Sequence, residues 1–118
     1  MTDETIHHGV RLTFYCHVRA RHHDTLVTEW LLQQARRLGV GGGSVFRAMA
    51  GYGRHGVLRE ETFFELADDL PAKVEFVLQE GEAERLLAQV RTAGVDVVYA
   101  RSAVDFAVLG APRTSDEA

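Results

Sequence analysis

Several groups of residues in this 118-residue chain are of types that do chemistry. The first is Gly51-Tyr52-Gly53-Arg54. Glycines two apart let backbone N–H groups curl into a nest, and no Cβ keeps an anion away. Arg54 can give the same anion a paired, charge-assisted hydrogen bond. The competing reading is that Gly51 and Gly53 only let a strand bend into a loop. The second group is His7-His8, His17, His22-His23 and His55. Imidazole binds zinc or copper, but a site needs three or four converging ligands at fixed geometry. No pair here has the i,i+4 spacing of a helix face, and one cysteine makes no Cys-x-x-Cys pair, so no metal site is assigned. Cys16 and His17 are neighbours on an alternating segment. They point to opposite faces and cannot act as nucleophile and base together. Ser44 lacks the Gly-x-Ser-x-Gly elbow. Glu60, Glu61 and Glu65 fall in a polar stretch and read as solvating it or meeting a partner. No catalytic residue is assigned, and the chain is expected not to be an enzyme.

The elements that must position these residues follow from periodicity. Residues 1–9 are polar and read as a flexible N-terminus. Val10, Leu12, Phe14, Cys16 and Val18 alternate with Arg11, Thr13, Tyr15, His17 and Arg19, which is the period of a half-buried strand. Asp24 or Thr25 is positioned to cap a helix. Leu26, Val27, Trp30, Leu31, Ala35 and Leu38 then recur at helical spacing, and Gly39 supplies the stop. Trp30 occupies a core position on this helix. Gly41-Gly42-Gly43 reads as a tight entry using positive backbone angles. A second strand is expected from Ser44 to Tyr52, followed by a long polar connection over 54–69. Connections of that length tend to be functional or mobile. Leu70-Pro71 ends it, and 73–79 alternates again, with Val77 making the outward face partly apolar. Ala83, Leu86, Leu87, Val90 and Ala93 form a second amphipathic helix, stopped by Gly94. A fourth strand is expected over 95–100 and a short fifth over 104–109. The polar residues 110–118 read as a disordered tail.

Strand, helix, strand, strand, helix, strand is the split βαβ order, so the expectation is an α+β, ferredoxin-like βαββαβ sandwich over 10–109. Both helices should cover one sheet face. The other face has no second layer within the chain, and outward residues such as Val77 and Ala48 suggest cover by another subunit.

Bulk properties narrow the function classes. The length suits one domain. A hydrophobic fraction of 46% and a charged fraction of 25% are those of a soluble globular protein. A formal charge of −4 argues against a general nucleic-acid surface. The single Cys16 excludes an internal disulfide and reads as a small buried side chain in a reducing compartment. No apolar run approaches a membrane span, and Met1-Thr2-Asp3-Glu4 lacks the basic-then-apolar order of a signal peptide. The expected location is the cytoplasm.

Taken together, Ser44-Val45-Phe46-Arg47-Ala48, then Gly51-Tyr52-Gly53, then Asp69-Leu70-Pro71 with Val74-Glu75-Phe76-Val77, resemble the PII-like signalling proteins. The closer resemblance is to an uncharacterised PII-like family of bacterial proteins, domain of unknown function 190, and it covers about residues 10–109. The resemblance implies a homotrimer of ferredoxin-like subunits packed sheet to sheet. It implies an anionic effector, an adenine nucleotide, held between subunits at the root of the long loop. Gly51, Gly53, Arg54 and Glu75 are then the ligand-binding residues. The loop, with His55, Arg59, Glu60 and Glu61, would engage a partner such as a membrane transporter or channel. Classical PII proteins carry a glycine-rich phosphate loop with a lysine before the fourth strand. Here Thr92-Ala93-Gly94-Val95-Asp96 has neither that lysine nor a second glycine. Two other readings stand beside this one. One is a metal-binding trimer of the copper-tolerance type, and the other is a small ferredoxin-like enzyme.

Overall fold

Alternation in the first strand extends further toward the N-terminus than hydrophobicity alone indicates. In the computed structural model, which describes residues 4–52, 59–60 and 70–110, β1 runs His7–His17. It starts at His7 rather than Val10 because His7 and His8 lie opposite Phe106 and Asp105. His7 stacks on Phe106 with ring centroids 5.2 Å apart, and His8 Nδ1 lies 2.7 Å from Asp105 Oδ1.

Two short strands follow, β2 (Arg21–His22) and β3 (Thr25–Leu26), paired as a hairpin. The helix α1 is Val27–Arg37 and has no side-chain cap. The expected cap from Asp24 or Thr25 is therefore absent. The hairpin claims both residues: His23 turns it at φ 56°, Arg21 donates to the Asp24 carbonyl at 2.8 Å, and Thr25 pairs with His22. Gly39, at φ 84°, ends the helix as expected.

The triple glycine does not use positive φ, contrary to expectation. Gly41 and Gly42 face open space. Gly43 is needed for a different reason, since the Phe76 ring occupies the place a Cβ would take.

The second strand is shorter than expected. β4 is Ser44–Arg47 and ends before Ala48. Ala48 N–H donates to the Pro71 carbonyl at 2.9 Å, at the very start of the neighbouring strand. No ladder remains beyond that point, so the chain leaves the sheet. It forms β5 (Ala50–Gly51), which pairs with β6 (Arg59–Glu60). The stretch 54–69 thus contains a strand where none was expected. The rest of that stretch and residues 111–118, to which a long polar connection and a disordered tail are assigned from sequence, lie outside the described residues.

β7 (Pro71–Gln79) leads directly into α2 (Glu80–Ala93). Glu82 accepts from the Gln79 N–H at 2.9 Å and so satisfies a donor at the helix start. Gly94, at φ 71°, closes the helix. β8 is one continuous strand, Val98–Phe106, rather than separate strands over 95–100 and 104–109. It pairs with β1 from Val98 to Phe106 without a break, while Val95 and Val97 pack on the core as the connection.

The main sheet has the order β4-β7-β1-β8, and all neighbours are antiparallel. With two helices among the described residues packed on one face, this is the expected α+β, ferredoxin-like fold. Val10, Leu12, Phe14, Val74, Phe76 and Leu78 point inward from the central strands. They meet Val27, Leu31 and Ala35 of α1 and Ala83, Leu86, Leu87 and Val90 of α2. Arg101 reaches from β8 to Glu84 at 2.7 Å and Glu80 at 3.4 Å, pinning that edge of the sheet to α2. No helix among the described residues is long and apolar enough to cross a membrane.

Candidate functional site

Strand register builds the site on the sheet face that carries no helix among the described residues. Lys73 of β7 stands opposite Phe46 of β4 on one side and Tyr15 of β1 on the other. All three project from the uncovered face, because Val74 and Phe14, their neighbours in sequence, are fully buried on the other. Directly opposed side chains in adjacent strands are within contact reach. Lys73 Nζ lies 5.0 Å from the centroid of the Phe46 ring, a cation–π distance. The next row along the strands is Ser44, Glu75 and Thr13. Glu75 Oε1 lies 3.6 Å from Lys73 Nζ, and Thr13 Oγ1 donates to the same oxygen at 3.5 Å.

Lys73 lies on the wall of a cleft of about 330 Å³, open to solvent, at the point where the chain leaves β4. Phe46, Tyr15 and Tyr52 give it aromatic walls, Gly51 contributes backbone, and Arg47 adds a second cation at the rim. Tyr52 is 68% exposed and Phe46 47%, so apolar ring surface is held in water at this place. Aromatic surface beside an ammonium group suits a planar ligand with a negative charge.

The residues singled out from sequence are only partly brought together. Gly51 lines the cleft. Glu75 is on the same sheet face but lines a neighbouring depression of about 520 Å³, beside Gly41–Gly43. It is connected to the cleft through Lys73. Gly53, Arg54, His55 and Glu61 lie outside the described residues. For Arg59 and Glu60 the backbone is described, and it pairs with Gly51 and Ala50. Sequence reasoning missed Lys73, Phe46 and Tyr15 as site residues. Alternation alone sends each of them outward, but their convergence depends on the register of three strands, which no local pattern contains.

The described histidines do not converge. His22 and His23 have ring centroids 4.3 Å apart, and the Trp30 ring lies 5.1 Å from His22. Among the described residues no group of three or more His, Cys, Asp and Glu side chains could hold a metal ion. Cys16 is part-buried against the core, and that burial pushes its thiol pKa up to about 11 from 9.0. At pH 8 the folded protein should therefore react with iodoacetamide about a hundredfold more slowly than a free thiol, since the thiolate is the nucleophile. Alkylation at the rate of the denatured chain would contradict this.

Comparison with known proteins agrees with this architecture. Residues 9–105 match the family DUF190, described as uncharacterized ACR. A UPF0166 protein of Aquifex aeolicus (strain VF5) is 36% identical over 63 residues, 53% of this chain. The match spans 60% of that curated relative's length. Among solved structures, CPII of Thiomonas intermedia K12 superposes with a TM-score of 0.60 at 20% identity, over 88% of this chain and 91% of that one. That protein is a nitrogen regulatory PII-like protein solved with ADP, AMP and bicarbonate bound. A putative PII-like signaling protein of Thermus thermophilus superposes with a TM-score of 0.57 at 16% identity, over 86% and 90% of the two chains.

Proposed function

Since the chain belongs to the DUF190 family and has the fold of PII-like proteins, we propose that it is a PII-like regulatory protein that acts by binding rather than by catalysis. Three copies assemble with their uncovered sheet faces inward. A small anionic effector, an adenine nucleotide, binds in the clefts between subunits. Its binding reorders the segment 54–69 and changes the affinity of that segment for a partner protein in the cytoplasm, such as a membrane transporter or channel. Such a switch needs only that the effector bind one state of the segment more tightly than the other.

The observation that carries this reading is the position of the cleft. It lies where β4 ends, beside Gly51, at the root of the segment 54–69. A ligand there touches the chain just where it departs from the sheet. Gly53 and Arg54 follow directly in sequence, so a nest and a guanidinium can add to the same anion.

A thermal-shift panel of ADP, AMP, bicarbonate and divalent metals tests the proposal. A ligand at one hundred times its Kd should stabilise the protein by about 2.7 kcal/mol. Arg54→Ala should weaken binding of the nucleotide found by about 1.5–3 kcal/mol, the scale of a hydrogen bond to a charged group, with assembly unchanged. A panel in which no nucleotide shifts the melting temperature would remove the effector from the proposal. Unchanged affinity in Arg54→Ala would mean that the Gly51–Arg54 stretch is only a bend.

A further inference from the structure

We propose that Lys73 is an anion-binding residue of the cleft, and that Glu75 holds it in place and competes with the ligand for it. The inference rests on the regulatory reading in one respect, that the cleft is an effector site. The ligand class it names is an aromatic ring bearing a phosphate or similar anion.

Lys73 is unusual in having three different neighbours on one open face. Phe46 and Tyr15 flank it across the strands on either side, and Glu75 sits two residues along its own strand. The ammonium is held 5.0 Å above the Phe46 ring and 3.6 Å from Glu75 Oε1. Neither contact satisfies it fully. A lysine has three donors, the ring accepts none of them as a hydrogen bond, and 3.6 Å is long for a charge-assisted bond. In the single chain the Lys73 side chain is 40% exposed and the Glu75 side chain 27%, and Lys73 lies at the mouth of the cleft where β4 ends. A ligand anion can therefore reach Lys73 from the cleft side while Glu75 remains behind it.

The same geometry places the ring of the ligand. Tyr15, Phe46 and Tyr52 provide the apolar walls around Lys73. A planar group against them sends its charged substituent toward the ammonium. Glu75 also meets the Thr13 hydroxyl, at 3.5 Å, a contact as loose as its ion pair with Lys73. When the anion arrives, Lys73 exchanges a long ion pair for a short one. The carboxylate is thus a built-in competitor that lowers affinity for anions.

This arrangement makes opposite demands on two outward residues of one strand. Removing the lysine charge should weaken anion binding by roughly 10- to 100-fold, as for loss of a charge-assisted hydrogen bond. Removing the competing carboxylate should strengthen it by roughly two- to fivefold, the scale of a partly exposed ion pair. If Glu75 instead contacted the ligand directly, its removal would weaken binding.

The test is calorimetric titration of the intact chain and of Lys73→Met and Glu75→Gln with AMP, phenyl phosphate and adenosine. Circular dichroism and assembly mass confirm that each variant folds. Wild type should bind AMP and phenyl phosphate more tightly than adenosine. Lys73→Met should lose most of that preference but keep its adenosine affinity, and Glu75→Gln should gain affinity for both phosphates. Unchanged AMP and phenyl phosphate affinity in Lys73→Met, weaker binding in Glu75→Gln, or no binding of either phosphate by wild type would each overturn the proposal. Lys73-dependent binding of phenyl phosphate without binding of AMP would uphold it while removing the nucleotide from the regulatory reading. AMP binding that ignores Lys73 would do the reverse.

Discussion

Replacing Phe14 by alanine should destabilise the protein by about 3–5 kcal/mol, the range for deleting a fully buried aromatic ring. Phe14 lies at the middle of β1 and is completely inaccessible to water. It stands opposite Val74 on β7 and Tyr99 on β8, so its ring lies over the join of three strands. Phe76 meets it edge-on at 6.3 Å, and Tyr99 lies at the same distance on the other side. Domains of this size have total stabilities of about 5–15 kcal/mol. The variant should therefore unfold at a much lower guanidinium concentration with an unchanged m-value, at matched protein concentration. A midpoint within error of wild type would show that the sheet and helices do not share one core.

Val77→Glu should leave the fold intact and break the assembly. Val77 alternates with the buried Phe76 and Leu78 and so projects from the face without helices, where it is 40% exposed in the single chain. Tyr15, Phe46 and Val98 are exposed on the same face. If other copies cover this face, each chain gains about 1 kcal/mol from burying the part of Val77 still exposed, and a carboxylate there would have to be desolvated without a partner. Over three chains the lost apolar burial alone is about 3 kcal/mol, on the order of 10²-fold in the assembly constant at roughly 1.4 kcal/mol per factor of ten, and the desolvation adds to it. Sedimentation should show a smaller species with an unchanged far-ultraviolet spectrum. A variant that sediments like wild type would place the interface elsewhere.

Much of the fold was legible because its strongest signals are local. Period two in Val10, Leu12 and Phe14, helical spacing in Val27, Leu31 and Ala35, and stops at Gly39 and Gly94 each need only a short window. The failures share one cause, which is that a distant strand decided the outcome. The second strand breaks at Ala48 because its partner begins at Pro71. The last strand looked divided because Arg101 and Ser102 interrupt its apolar residues. Yet Arg101 is held by Glu84, and Ser102 pairs with Arg11, so the ladder is continuous. At the site, glycine and arginine drew attention because their types announce anion chemistry. Lys73 had the same chemistry, but its aromatic neighbours Phe46 and Tyr15 are far away in sequence, and only register joins them.

The mass of the wild-type protein in dilute solution tests the central claim most directly, because the proposed effector clefts are completed only if copies meet on the uncovered sheet face. Sedimentation equilibrium at micromolar concentration, with and without ADP, should give three times the 13.1 kDa of one chain. A single species at the mass of one chain under both conditions would contradict the claim, and the clefts between subunits with it.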